Sequence, residues 1–153
     1  MEFEVFDWSR HHLTVHREIS SIIGDQKPVA LAAGDTVRRA CQLMTQSGSG
    51  SVLALDAQGR LCGIFTGRDA VRLLSEGDDA GSKRLALAMK HDPVTITPGS
   101  HAIDALRIMS DGGFRHLPVV ENEKIYGVVS RSDFTGVEVD RLDEDEHLAE
   151  CIW

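Results

Sequence analysis

Thr66-Gly67-Arg68-Asp69 places a hydroxyl, a glycine, a guanidinium and a carboxylate in consecutive positions, directly behind the apolar run Gly63-Ile64-Phe65. Similar chemistry returns as Ser130-Arg131-Ser132-Asp133 behind Gly127-Val128-Val129. A hydroxyl followed three residues later by an acid is a capping box, in which each side chain satisfies a backbone N–H at a helix start. The same groups also suit a phosphorylated ligand. A helix N-terminus offers unpaired N–H groups and a positive dipole end, and arginine binds phosphate bidentately. A carboxylate accepts hydrogen bonds only and matches a vicinal diol. An isolated copy reads as a cap. Two copies at equivalent places favour a ligand while leaving capping alone open.

The elements that must hold these motifs are written twice. Pro28-Val29 through Gly34 reappears as Pro93-Val94 through Gly99, and Ala40, Met44 and Gly48 return as Ala105, Met109 and Gly113, all 65 positions on. Gly63 and Asp69 return 64 positions on as Gly127 and Asp133, so one residue is lost, most simply in the turn 56–60 against 122–124. Each copy reads as a β run (29–32; 94–97), a helix with an apolar i, i+3, i+4, i+7 stripe, and a hairpin. The predicted N-caps are Asp35 and Ser100, and Gly48 and Gly113 end the helices. The hairpins are 52–55 with 61–65 and 117–120 with 125–129. A helix over 69–76 stops at Gly77, and 85–90 adds a helical turn. After Asp133 the corresponding helix meets Gly136 and is expected to be short or kinked. The grammar is β-α-β-β-α, twice, an α/β (α+β) fold. One such unit is too small to cover both faces of its sheet, so two packed sheet against sheet form the expected domain. The expected divisions are 1–17, repeat 18–76, linker 77–84, repeat 85–136 and an acidic segment 137–153.

Composition narrows the function. The 153 residues carry a net charge of −8, which excludes binding driven by neutralising nucleic-acid phosphates. Residues 138–150 hold seven acids against Arg141, a charge of −6, which leaves −2 for the rest. No apolar run approaches a membrane span of about 20 residues, and the acidic N-terminus is unlike a signal peptide. Cys41, Cys62 and Cys151 form no CxxC pair and read as free thiols in a reducing cytoplasm. His12 and His16 have i, i+4 spacing, but no carboxylate or cysteine nearby completes a metal set. Nothing assembles a nucleophile, base and orienter, so catalysis is not expected. Val139, Leu142, Ala149, Ile152 and Trp153 give the acidic segment an apolar side that docks on the module or on a protein partner, or else frays.

The duplicated unit resembles a tandem pair of CBS domains, the Bateman module. HDPVTITPGSHAIDALRIMSDGGFRHLPVVENEKIYGVVSRSDF carries the D-P-V, R-H-L-P-V-V and G-V-V-S-x-x-D patterns of that family, and GIFTGRD repeats the last in the first copy. The first copy departs at SGSGSVLAL, where small residues replace R-H-L-P. The resemblance covers about residues 18–136 and implies two clefts for adenosine-containing ligands: AMP, ADP, ATP or S-adenosylmethionine. It implies that Asp69 and Asp133 take the ribose hydroxyls, and that Thr66, Ser130, Arg68 and Arg131 face the phosphates. It also implies that Val29-Ala30 and Val94-Thr95 lie along the adenine. Arg115 and His116 border the central cleft, or are a surface arginine and a hydrogen-bonded histidine. Because Gly50 and Ser51 stand in their first-copy places, the two sites are expected to be unequal. The resemblance further implies a homodimer formed through helices and signalling by conformational shift. A ligand-free dimerising adaptor is the alternative.

Overall fold

The two sets of hydrophobic periodicities become two similar sets of elements in the computed structural model, which describes residues 17–134 together with Gly136 and Glu138. The histidines at 11, 12 and 16, Cys151 and the apolar residues of the acidic segment lie outside the described residues. The first set is α1 (Ile19–Ile23), β1 (Ala30–Ala32), α2 (Val37–Ser47), β2 (Ser51–Leu55), β3 (Leu61–Thr66) and α3 (Gly67–Glu76). A 3-10 turn, Ala80–Ser82, leads to α4 (Leu85–Ala88), β4 (Lys90–His91), α5 (Ala102–Gly112), β5 (His116–Glu121), β6 (Lys124–Ser130) and a 3-10 turn, Arg131–Asp133.

Local chemistry sets most of these limits. Gly48 and Gly113 take left-handed φ values of 67° and 68° and end α2 and α5, as glycine does at this position. The caps fall one residue later than expected in both copies. Thr36, not Asp35, caps α2 by accepting from the Arg39 N–H at 3.2 Å, and Asp35 instead gives its carbonyl to the Leu85 N–H at 2.7 Å. His101, not Ser100, precedes α5, where the Asp104 carboxylate accepts its N–H at 3.1 Å. The Ser100 hydroxyl is 3.0 Å from that of Thr97, and its carbonyl accepts the Ile19 N–H at 2.8 Å. Tertiary backbone bonds claim both expected caps.

β1 runs parallel to β2, and β2, β3 and β4 continue antiparallel as one four-stranded sheet. In the second copy β5 and β6 form a hairpin around Asn122 and Glu123, both at positive φ. The strand expected over 94–97 shrinks to one parallel bridge between Ile96 and Val119. Pro93 and Pro98 flank it and can donate nothing to a ladder.

The leading segments are exchanged between repeats. Ile19 and Ile23 of α1 are buried with Ile96, Met109, Leu117 and Val129 of the second copy. Leu85 and Ala88 of α4 are buried with Val52, Phe65 and Leu73 of the first. Backbone bonds secure both transfers: Ala86 N–H to the Ala33 carbonyl at 2.9 Å, and Ala102 N–H to the Arg17 carbonyl at 2.8 Å. Arg17 also holds the fully buried Glu138 through two hydrogen bonds of 3.1 Å. On the other face of the first sheet, Leu53 and Ile64 are buried outside the first core cluster.

Candidate functional site

β3 hands over to α3 at Thr66 without a loop, so a buried strand ends directly in a helix N-terminus. Asp69 Oδ2 accepts from the Thr66 N–H at 2.9 Å and from its hydroxyl at 3.1 Å, while Oδ1 stands 3.7 Å from the Arg72 guanidinium. Only 4% of Asp69 is exposed, so the cap is complete within one turn of chain. In the second copy the Ser130 N–H donates to Asp133 Oδ2 at 2.7 Å, and the Ser130 hydroxyl lies 2.7 Å from that of Ser132. There the helical start is a three-residue 3-10 turn followed by extended Phe134, and Asp133 is exposed. The two motifs share a sequence pattern and differ in burial.

A cleft of about 490 Å³ opens beside the first motif and takes its walls from both repeats. The end of β3 and the start of α3 supply Ile64, Thr66, Gly67 and Arg68. The segment after α4 supplies Lys90 to Val94, and the turn after α5 together with the start of β5 supplies Gly113 to His116. Gly50 completes the lining, and a Cβ there would lie 2.9 Å from His116 Nε2. The missing side chain at Gly50 is what admits the imidazole, so the small residues of one copy make room for the large ones of the other. Burial pushes the His116 pKa below its ordinary range, Asp133 pulls it up, and Arg115 pushes it down. A ligand entering the cleft meets apolar walls (Ile64, Pro93, Val94, Phe114), a helix N-terminus and two guanidiniums. That combination suits a flat base joined to an anion.

Five of the candidates, Thr66, Arg68, Val94, Arg115 and His116, meet in this cleft. Asp69 sits behind Thr66, and Thr95 follows Val94 outside the lining. Arg131 lines an adjoining cavity of about 360 Å³ together with Arg68 and Arg115. Ser130 pairs with His116 across the hairpin, and Asp133 bonds back to Ser130. Val29 and Ala30 lie elsewhere: Ala30 pairs with Leu53, and Val29 packs on the first core. The sequence reading missed Lys90, His91, Asp92 and Phe114. Phe114 directly precedes the candidate Arg115 and Asp92 stands two residues before Val94, but only the fold brings the stretch after α4, which turns at Asp92 (φ 46°), and the turn before β5 to one space. Among the described residues no cluster of three or more His, Cys, Asp or Glu could hold a metal ion, and no helix is long and apolar enough to cross a membrane.

The CBS domain family model matches residues 19–76 and 83–140. The CBS domain-containing protein CBSCBSPB2 of Arabidopsis thaliana is 35% identical over 125 residues, which cover 81% of this chain and 23% of that one. The chain therefore spans about a quarter of that relative's length. Among solved structures, a CBS domain protein from Pyrobaculum aerophilum complexed with AMP superposes with a TM-score of 0.74 at 20% identity, covering 83% of this chain and 98% of that one. The CBS domain pair of protein MJ0100, in complex with 5′-methylthioadenosine and S-adenosyl-L-methionine, gives a TM-score of 0.69 at 19% identity, over 82% and 98% of the two chains.

Proposed function

The chain belongs to the CBS domain family as a tandem pair, and from that premise we propose that it is a regulatory module that binds an adenosine-containing ligand (AMP, ADP, ATP or S-adenosylmethionine) between its repeats. The observation that carries this reading is the cleft of about 490 Å³ built from the first repeat's helix start and the second repeat's Val94, Arg115 and His116. The adenine lies along Val94 and Phe114, the ribose hydroxyls share Asp69 with Thr66, and the phosphate faces Gly67, Arg68 and Arg115. The ligands bound by the Pyrobaculum protein and by MJ0100 support the class of ligand. Because the walls come from both repeats, a bound ligand biases their relative arrangement, a population shift and not a reaction. The module is non-catalytic on this reading. It works in the cytoplasm as a homodimer, with its acidic C-terminal segment as a docking element for a protein target.

Thermal-shift measurements with each of the four ligands test this on the wild type and on Asp69→Ala, Arg115→Ala and Asp133→Ala. A ligand at 100 times its Kd stabilises the fold by about 2.7 kcal/mol, and Asp69→Ala and Arg115→Ala should lose most of that shift. A shift indifferent to both substitutions would place the ligand elsewhere. The adaptor reading has its own observation, the two capping boxes in which Asp69 and Asp133 bond back to the N–H of Thr66 and of Ser130. It stands if none of the four stabilises the protein.

A further inference from the structure

The second motif is held differently from the first. Behind Thr66 the chain runs on as the ten-residue helix α3, so the first motif is secured by its own helix. Behind Ser130 the 3-10 turn stops at Asp133 and Phe134 is extended (φ −98°, ψ 145°), before helical backbone returns at Gly136 and Glu138. In an unbroken helix the Asp133 carbonyl would accept the N–H four residues on. Here it accepts a hydrogen bond from Arg17 Nη2 at 3.0 Å. The same guanidinium grips Glu138 with both arms, Nε donating to Oε1 and Nη2 to Oε2, each at 3.1 Å. Arg17 thus bridges the break, with contacts before Phe134 and beyond it. Its own backbone is pinned, since its carbonyl accepts the Ala102 N–H at 2.8 Å and the neighbouring Glu18 forms an antiparallel bridge with His101.

The corresponding positions of the first copy cannot make this arrangement. The Lys83 carbonyl accepts the Val37 N–H at 2.9 Å as that of Arg17 accepts the Ala102 N–H, so Lys83 corresponds to Arg17. Leu74 stands five residues beyond Asp69, as Glu138 stands five beyond Asp133. Leu74 carries no charge and is 72% exposed, whereas Glu138 is fully buried. A buried carboxylate needs charge-assisted partners, and a guanidinium fork meets both of its oxygens. We propose that Arg17 and Glu138 form a clasp that sets the second motif from outside its own repeat, so that the two motifs answer to different parts of the chain. Displacing the segment that enters α1, or the chain at Glu138, loosens Ser130 to Asp133 and leaves Thr66 to Asp69 in place. Arg17 is a positioning residue in this device. Neither Arg17 nor Glu138 lines the cleft, so the clasp does not depend on which ligand the cleft takes.

Residue-resolved amide exchange on the full chain tests it, with wild type, Arg17→Met, Arg17→Lys, Glu138→Gln and the double variant Arg17→Met/Glu138→Gln. The reporters for the second motif are the N–H groups of Ser130, Arg131 and Phe134, bonded to Asp133 Oδ2 and to the Arg115 and Arg131 carbonyls. Those for the first are the N–H groups of Thr66 and Gly67, bonded to Asp69 Oδ2 and the Gly50 carbonyl. Arg17→Met and Glu138→Gln should each accelerate the second set by at least about tenfold and leave the first within about twofold. Arg17→Lys keeps the charge without the fork and should fall between wild type and Arg17→Met. The double variant should exchange no faster than Arg17→Met, because the pair acts as one unit. Should Arg17→Met fail to fold, Arg17→Lys and Glu138→Gln carry the same comparison. Equal acceleration at both motifs, or through the middle of the β5–β6 hairpin, would reduce the pair to general stability and overturn the clasp. Unchanged exchange at Ser130, Arg131 and Phe134, or additive effects in the double variant, would overturn it as well.

Discussion

His116 is held by opposing influences: burial and Arg115 disfavour its charged form, and Asp133 favours it. Burial is the largest of these, so its folded pKa lies below its ordinary value of about 6.5. Between the two values the unfolded chain binds a proton that the folded chain refuses. The contribution of His116 to stability is therefore complete above about pH 6.5 and is lost as pH falls through the folded value. The melting temperature of the free protein should drop on acidification from pH 7 to pH 5.5, and His116→Gln should flatten that interval. Asp56 titrates in a different window, since the backbone N–H groups of Arg60 and Gln58 hold its carboxyl below the ordinary range. An unchanged slope in His116→Gln would show that the imidazole is not the group responsible. The residue-level chemistry of the first motif was legible in the sequence as far as Thr66 and Asp69, because a capping box is local. Its burial was not, because that depends on what the fold lays over α3.

At the scale of elements, the exchange of α1 and α4 makes each repeat depend on a segment that precedes the other. Ile19 and Leu85 are both fully buried, at corresponding places in opposite cores. Truncating either to alanine should cost about 2–5 kcal/mol, as buried aliphatic truncations do. The location of the damage is the sharper readout. Amide exchange in Leu85→Ala should accelerate first across β2 and β3, and in Ile19→Ala first across β5 and β6. The reverse pattern, or equal acceleration in both hairpins, would deny the exchange. The hairpins themselves followed from alternation and turn residues, and the ends of α2 and α5 from Gly48 and Gly113. The caps at Asp35 and Ser100 were misplaced by one residue, because long-range backbone partners took both residues for the exchanged segments. The strand over 94–97 failed for a reason that was visible, the prolines on either side.

For the whole molecule, α3 leaves Val71 68% and Leu74 72% exposed, one helical turn apart on the face away from the core. These side chains fit the proposed homodimer, since a helix that covers them removes apolar surface from water. Sedimentation of Leu74→Glu should show a monomer where the wild type sediments as a dimer, with little change in melting temperature. A wild-type chain that sediments as a monomer would end the dimer proposal. The sequence alone determined the duplication, the helix-and-hairpin order within each copy, the family resemblance and five of the residues that meet in the cleft. These are properties of spacing and residue type, and they survive any rearrangement of the units. Only the tertiary structure decided that the leading segments cross over, and that Val94 and Asp92 therefore face Thr66 while Val29 and Ala30 do not. It also decided that Gly50 admits His116 and that three arginines from separate stretches line one cavity. The physical reason is shared by all of these: periodicity records which face of an element is apolar, and it carries no information about which copy will cover that face.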